Sequence, residues 1–187
     1  MDELYRLLDE WLQQGNVLLG IDGRCASGKT TLGDLLAKHY DAALIHLDDF
    51  FLRPEQRTAE RYAQPGGNVD YERFLAEVLL PYKEGKEIVY RPFDCQTFTL
   101  AEEARVPRKA LTIVEGSYAF TPAPRDHYDH RVFLDIAPEL QKKRLQARDP
   151  KKWEMFRDRW IPLEEAYIEA CEPQLQADIV LYASGSI

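Results

Sequence analysis

The sequence predicts an α/β fold, a three-layer sandwich in which a five-stranded parallel sheet is flanked by helices. Three observations point there. Short apolar runs at residues 17–21, 42–47, 111–114, 132–134 and 179–181 are each bounded by charged or turn-forming residues, as buried strands are. Segments of helical period lie between them, and strands that alternate with helices build a parallel sheet covered on both faces. The junction after the first run is glycine-rich and leads straight into a helical segment.

Leu4, Leu7, Leu8, Trp11 and Leu12 repeat at helical spacing, so residues 2–14 form an amphipathic helix that Gly15 closes. Residues 17–21 are a buried strand that meets Gly23, and 29–40 resume helical period through Leu32, Leu35 and Leu36. Further helices are predicted over 71–82, 138–147 and 153–171, with Pro162 expected to kink or split the last. Residues 53–69 and 91–108 are polar, carry Pro or Gly and show no period. They read as long loops of the kind that form lids or substrate-binding segments. No repeat or linker divides the 187 residues, and one domain is expected.

Gly23-Arg24-Cys25-Ala26-Ser27-Gly28-Lys29-Thr30 matches G-x-x-x-x-G-K-[ST] at every fixed position, between a strand and a helix. Its glycines let successive backbone N–H groups turn inward onto phosphate oxygens, and the helix N-terminus adds about half a positive charge. Lys29 is placed to reach the β- and γ-phosphates and Thr30 to ligate Mg²⁺, with Thr31 beside it. The segment is predicted to bind a nucleoside triphosphate, ATP with Mg²⁺. Neither the Asn-Lys-x-Asp string of guanine-reading GTPases nor the Leu-Ser-Gly-Gly-Gln signature of transporter ATPases is present.

Acids at strand ends supply the candidate chemistry. Asp48-Asp49-Phe50-Phe51 follows the second strand, where the ligand crevice of a parallel sheet opens. One of these two carboxylates is expected to face the γ-phosphate, accepting a proton from an attacking hydroxyl or holding water on Mg²⁺; Phe50 and Phe51 read as core. Glu115, followed by Gly116, and Asp135 end the next two strands and compete as the second metal-side acid. Between Lys142 and Arg159 the chain reverses its sign, with eight Lys or Arg against three acids. That stretch predicts an arginine-bearing lid over the transferring phosphate, led by Arg144 and Arg148, one helical turn apart.

A formal charge of -8 argues against a nucleic-acid partner. Cys25, Cys95 and Cys171 form no CxxC pair, so neither a disulfide framework nor a zinc site is expected, which fits a reducing cytoplasm. Cys25 reads as small-residue filler, and the histidines show no metal spacing. No apolar run is long enough to span a bilayer and the acidic start does not read as a signal peptide, so no membrane attachment is expected.

Together these blocks resemble the uridine kinase/phosphoribulokinase family of P-loop kinases. The resemblance runs over residues 23–31, Asp48-Asp49-Phe50-Phe51, Gly67-Asn68-Val69-Asp70-Tyr71, residues 90–96, Val114-Glu115-Gly116-Ser117-Tyr118, residues 144–149 and Ala177-Asp178-Ile179-Val180. It implies a P-loop NTPase fold of the nucleoside kinase type, and transfer of the γ-phosphoryl group of Mg·ATP to a hydroxyl of a small molecule. It implies Asp48 as catalytic base, Glu115 as the Mg²⁺-associated acid, and Arg144 and Arg148 as residues of a lid over residues 144–160. Asp48, Asp70, Phe93 and Glu115 are then the residues expected near the acceptor, with Thr30, Asp48 and Glu115 on the metal side. A nucleoside is the first acceptor expected. Nicotinamide riboside, pantothenate or another small alcohol are alternatives; Asp48-Asp49-Phe50-Phe51 stands where uridine kinases usually show Asp-Ser-Phe-Tyr and looks closer to the nicotinamide riboside kinases. A nucleoside monophosphate kinase, which needs arginines such as Arg53, Arg57 and Arg61 at its acceptor, and an ATP-binding regulatory module without transfer complete the set. Self-association into a homo-oligomer is left open.

Overall fold

The computed structural model describes residues 1–184. Helix α1 (Asp2–Gln14) leads into strand β1 (Val17–Gly23), and α2 (Lys29–Tyr40) into β2 (Ala43–His46). A 3₁₀ turn at Leu47–Phe50 follows, then a short helix α3 (Ala59–Tyr62). Helices α4 (Tyr71–Phe74) and α5 (Leu80–Lys83) are joined end to end by a π turn over Leu75–Leu79. Strands β3 (Ile88–Tyr90), β4 (Phe93–Asp94), β5 (Thr99–Leu100) and β6 (Ala104–Val106) make two small antiparallel ribbons, β3 with β6 and β4 with β5 inside it. Next come β7 (Leu111–Glu115), α6 (Pro122–Arg125), β8 (His130–Asp135) and α7 (Pro138–Arg148). The chain ends through α8 (Trp153–Met155), a second π turn (Phe156–Trp160), α9 (Ile161–Cys171) and β9 (Ile179–Tyr182).

The apolar runs form one parallel sheet in the order β2-β7-β1-β8-β9. Every residue of β1 is buried, because side chains alternate between two covered faces. Val17, Leu19 and Ile21 join Leu4 and Leu8 of α1 and Leu32 and Leu36 of α2 in one core. Leu18 faces the other way, into a core built with Phe74, Val78, Phe133 and Tyr167. This is the expected three-layer sandwich.

Two expectations need correcting. Residues 53–69 and 91–108 are not plain loops: the first holds a 3₁₀ turn (Pro54–Gln56) and α3, the second most of the two ribbons. Strands of two or three residues are too short to display a period. Nor does Pro162 split its helix. A proline has no N–H to donate, and its ring presses on the carbonyl four residues earlier. Here that carbonyl belongs to Asp158, inside the π turn, where the wider winding relieves the clash. The same device precedes Pro81, whose fourth residue back, Glu77, lies in the other π turn.

Candidate active site

The sheet order sets the site. Strand β1 is central, with β7 on one side and β8 on the other, so Glu115 and Asp135 both end strands that flank the phosphate-binding loop. Their partners separate them. Glu115 accepts a hydrogen bond from the Thr30 hydroxyl (3.1 Å) and pairs with His46 Nδ1 (2.6 Å), which the β2–β7 register sets directly opposite it. The hydrogen bond that His46 donates to Glu115 raises the His46 pKa. Asp135 instead accepts from Arg24 Nε (2.8 Å) and from the Ile136 amide, turned away from Thr30.

Gly28 takes a φ of 110°, a left-handed backbone open to glycine, and the chain then enters the first turn of α2. Lys29 curls back so that its Nζ donates to the carbonyls of Gly23 (2.8 Å) and Arg24 (3.0 Å). Above this loop lies a cavity of about 530 Å³ that brings together Lys29, Thr30, Asp48, Glu115, Arg144 and Arg148. Thr31 and the loop residues Cys25, Ala26 and Gly28 also line it. Asp48 sits on the 3₁₀ turn after β2, exposed where it lines the cavity. The protein atoms crowded around it raise its pKa by desolvation, and the nearby Lys29 charge pulls the other way.

Arg144 and Arg148 share the cavity wall but not a job. The Arg144 guanidinium donates to the carbonyls of Ala26 (3.0 Å), Ser27 (3.3 Å) and Ser184 (2.9 Å), bracing the phosphate loop from behind. Arg148 stacks over Phe156, 5.2 Å from the ring centroid, with its guanidinium exposed toward the cavity. The brace has a second half. Glu164, on α9 and nearly fully buried, accepts the Cys25 amide (2.6 Å) and the Gln141 side chain (3.0 Å), while Gln141 also donates to the Cys25 carbonyl (3.2 Å). Cys25 is held by this clamp, and burial beside Glu164 pushes its thiol up to about 12, which makes it inert as a nucleophile.

Asp22 is the other unforeseen residue. Fully buried at the end of β1, it accepts from the amides of Gly23 (2.6 Å), Tyr118 (3.0 Å) and Phe120 (2.9 Å) and from the Tyr167 hydroxyl (2.5 Å). An acid ending an otherwise apolar strand is its one sequence signal. Gln141 and Glu164 carry none, because their partners lie on a loop more than a hundred residues earlier.

Two residues expected near the acceptor lie off the cavity wall. Asp70 is fully buried, capping α4 through the Arg73 amide (3.1 Å) and pairing with Arg53 (3.3 Å). Phe93 is buried under Arg57, whose guanidinium lies 5.4 Å from its ring centroid. The arginines of the 53–61 segment are engaged within the protein. Besides Arg53 on Asp70, Arg57 donates to the Leu52 carbonyl, and Arg61 binds Glu72 with both terminal nitrogens and the carbonyls of Gly67 and Val69.

The donor set fits a hard divalent cation. The Thr30 hydroxyl and the Glu115 and Asp48 carboxylates face one space, and Mg²⁺ favours such oxygens with phosphate and water completing its shell. Among the described residues no three His, Cys, Asp or Glu side chains cluster as a self-sufficient metal cage. A Mg²⁺ ion here would take its remaining ligands from a nucleotide. Among those residues, too, no helix is long and apolar enough to cross a membrane.

No protein-family model and no curated protein matches the chain. Solved structures do. A possible uridine kinase from Bacillus stearothermophilus superposes with a TM-score of 0.68 at 23% identity, over 96% of this chain and 99% of that one. The YGR205w protein superposes with a TM-score of 0.60 at 13% identity, over 97% of this chain and 91% of that one. The chain shares with them the α/β P-loop fold, with five parallel strands flanked by helices and the phosphate-binding loop at the end of the central strand.

Proposed function

We propose that the protein is an ATP-dependent kinase that transfers the γ-phosphoryl group to a hydroxyl of a small molecule, a nucleoside or nucleoside-like alcohol before others. The carrying observation is the placement of Asp48 in the same cavity as Lys29, Thr30 and Glu115, with its pKa raised by desolvation. A carboxylate of raised basicity suits a general base, which works best when its pKa is brought toward the operating pH. The acceptor oxygen attacks the γ-phosphorus, the bond from phosphorus to the bridging oxygen breaks, and ADP leaves. The proton of the attacking hydroxyl passes to Asp48.

Lys29 and Arg148 would lie against the phosphoryl oxygens as charge shifts onto the leaving group, and the N-terminus of α2 adds its dipole. Thr30 and Glu115 would hold Mg²⁺, which neutralises β- and γ-phosphate charge when bound. Arg144, Gln141 and Glu164 keep the loop in shape from behind. Two substitutions separate these jobs. Arg148→Ala is expected to lower kcat about a hundredfold or more with the melting temperature retained. Arg144→Ala is expected to lower the melting temperature and raise the KM for ATP. Steady-state kinetics with thermal melts read both, and identical behaviour of the two variants would contradict the division.

The engaged arginines favour an alcohol over a nucleoside monophosphate as acceptor. A phosphate acceptor needs free guanidinium groups facing it; Arg53 and Arg61 are paired with Asp70 and Glu72, and Arg57 alone keeps its terminal nitrogens free, bonded through Nε to the Leu52 carbonyl. The deciding experiment follows ADP release with uridine, cytidine, nicotinamide riboside, pantothenate, UMP and CMP. Release dependent on an alcohol that carries no phosphate is the expected result. Release with the monophosphates alone would establish the monophosphate kinase, and release with none would leave an ATP-binding module.

A further inference from the structure

His46 touches the metal-side acid from outside the cavity: it pairs with Glu115 but is not among the residues that line the space. The fold forces this contact. Strands β2 and β7 run parallel with His46 directly opposite Glu115. Glycines let the neighbouring elements close in on the pair. A Cβ on Gly33 of α2 would come within 3.3 Å of Glu115 Cγ, and one on Gly116 would meet Leu47 Cβ at 2.6 Å, so neither α2 nor the end of β2 could approach β7 this closely with a larger residue there.

The two oxygens of the Glu115 carboxylate are not equivalent. Oε1 accepts from the Thr30 hydroxyl (3.1 Å) and meets His46 Nδ1 (2.6 Å), whereas Oε2 has no hydrogen-bond partner among the described residues. A carboxylate only accepts, so the imidazole carries a proton on Nδ1. The terminal torsion of a glutamate is broad, and a single donor would leave the plane of the carboxylate loose. Two donors on one oxygen, one from α2 and one from β2, fix that plane and leave Oε2 uncommitted on a residue that lines the cavity.

We infer that His46 is a positioning residue, holding Glu115 Oε1 so that Oε2 stays presented to Mg²⁺ or to a water on it. The inference rests on the kinase reading and on the metal within it. Partners that orient a metal-side group in this way change metal affinity by about ten- to a hundredfold when they are lost. Calorimetric titration with a non-hydrolysable ATP analogue, run with Mg²⁺ and again with EDTA, isolates the metal's share of binding. Expected for His46→Ala is an affinity about tenfold weaker with Mg²⁺ and unchanged with EDTA. His46→Asn, whose side-chain nitrogen takes the place of Nδ1, should recover most of that loss. Mg²⁺-dependent binding in His46→Ala equal to that of the wild type overturns the inference, and tighter binding does so by showing that the ring competes with the ion. An equal loss with and without Mg²⁺, the mark of a structural role, overturns it too, as does a His46→Asn variant no better than alanine. None of these results touches the kinase reading, which stands or falls on acceptor-dependent ADP release. A wild type whose affinity for the analogue gains nothing from Mg²⁺ removes the metal from Glu115 and the inference with it.

Discussion

Asp48→Asn is expected to lower phosphoryl transfer about a thousandfold while ATP binding stays near its original strength. The replacement keeps the size and planarity of the side chain on its 3₁₀ turn but has no basic oxygen to take a proton. Asp49 is badly placed to substitute, since it is not among the residues that line the cavity and one of its oxygens accepts the Tyr90 hydroxyl at 2.8 Å. On the proposed reading ATP would be held by Lys29 and the loop amides, and should notice little beyond the loss of one negative charge. Steady-state kcat with the best acceptor, beside calorimetric titration with an ATP analogue, reads both quantities. Turnover close to that of the wild type would put the base elsewhere.

The largest effect on stability is expected at Asp22. Its truncation to alanine leaves the amides of Gly23, Tyr118 and Phe120 and the Tyr167 hydroxyl facing each other around an empty space. Burial raises the pKa of this carboxyl, and the hydrogen bonds, that of Tyr167 foremost, oppose the rise. Because buried groups left without partners carry a full desolvation penalty, Asp22→Ala should cost about 3–5 kcal/mol, or about 10 °C in Tm for a chain of this size. Tyr167→Phe removes a single donor and should cost about 1 kcal/mol. Thermal melts of the two variants test the network, and a Tm for Asp22→Ala within the range of Tyr167→Phe would show that the carboxylate is not its hub.

The strands are legible in the sequence because their surroundings are symmetrical. Residues 17–21 and 111–114 are solidly apolar for the reason that both faces of the sheet are covered. The order of strands is less legible. β7 and β8 carry the same signature, an apolar run ending in an acid, and both lie beside β1, so no pattern within either distinguishes Glu115 from Asp135. What distinguishes them is which hydroxyl or guanidinium the fold sets next to each. Arg144 makes the same point. Its spacing from Arg148 reports a shared helix face, but the carbonyls of Ala26 and Ser27 that claim it belong to a loop more than a hundred residues away. Asp70 and Phe93 belong to stretches matched by resemblance alone, and resemblance does not say which polar atom in a strap remains free.

The π turn before Pro162 does more than accommodate a ring. Phe156, Trp160 and Glu164 all line the cavity, at intervals of four residues. On an α-helix each residue advances by about 100°, so a step of four overshoots a full turn by about 40° and two such steps drift by about 80°. A π turn is wound more loosely and undershoots over the same step. Placed between Phe156 and Trp160, it turns the stripe back before the α-helical step to Glu164 carries it forward again. One extra residue's worth of slack thus keeps the aromatic roof and the carboxylate that grips Cys25 in a single line.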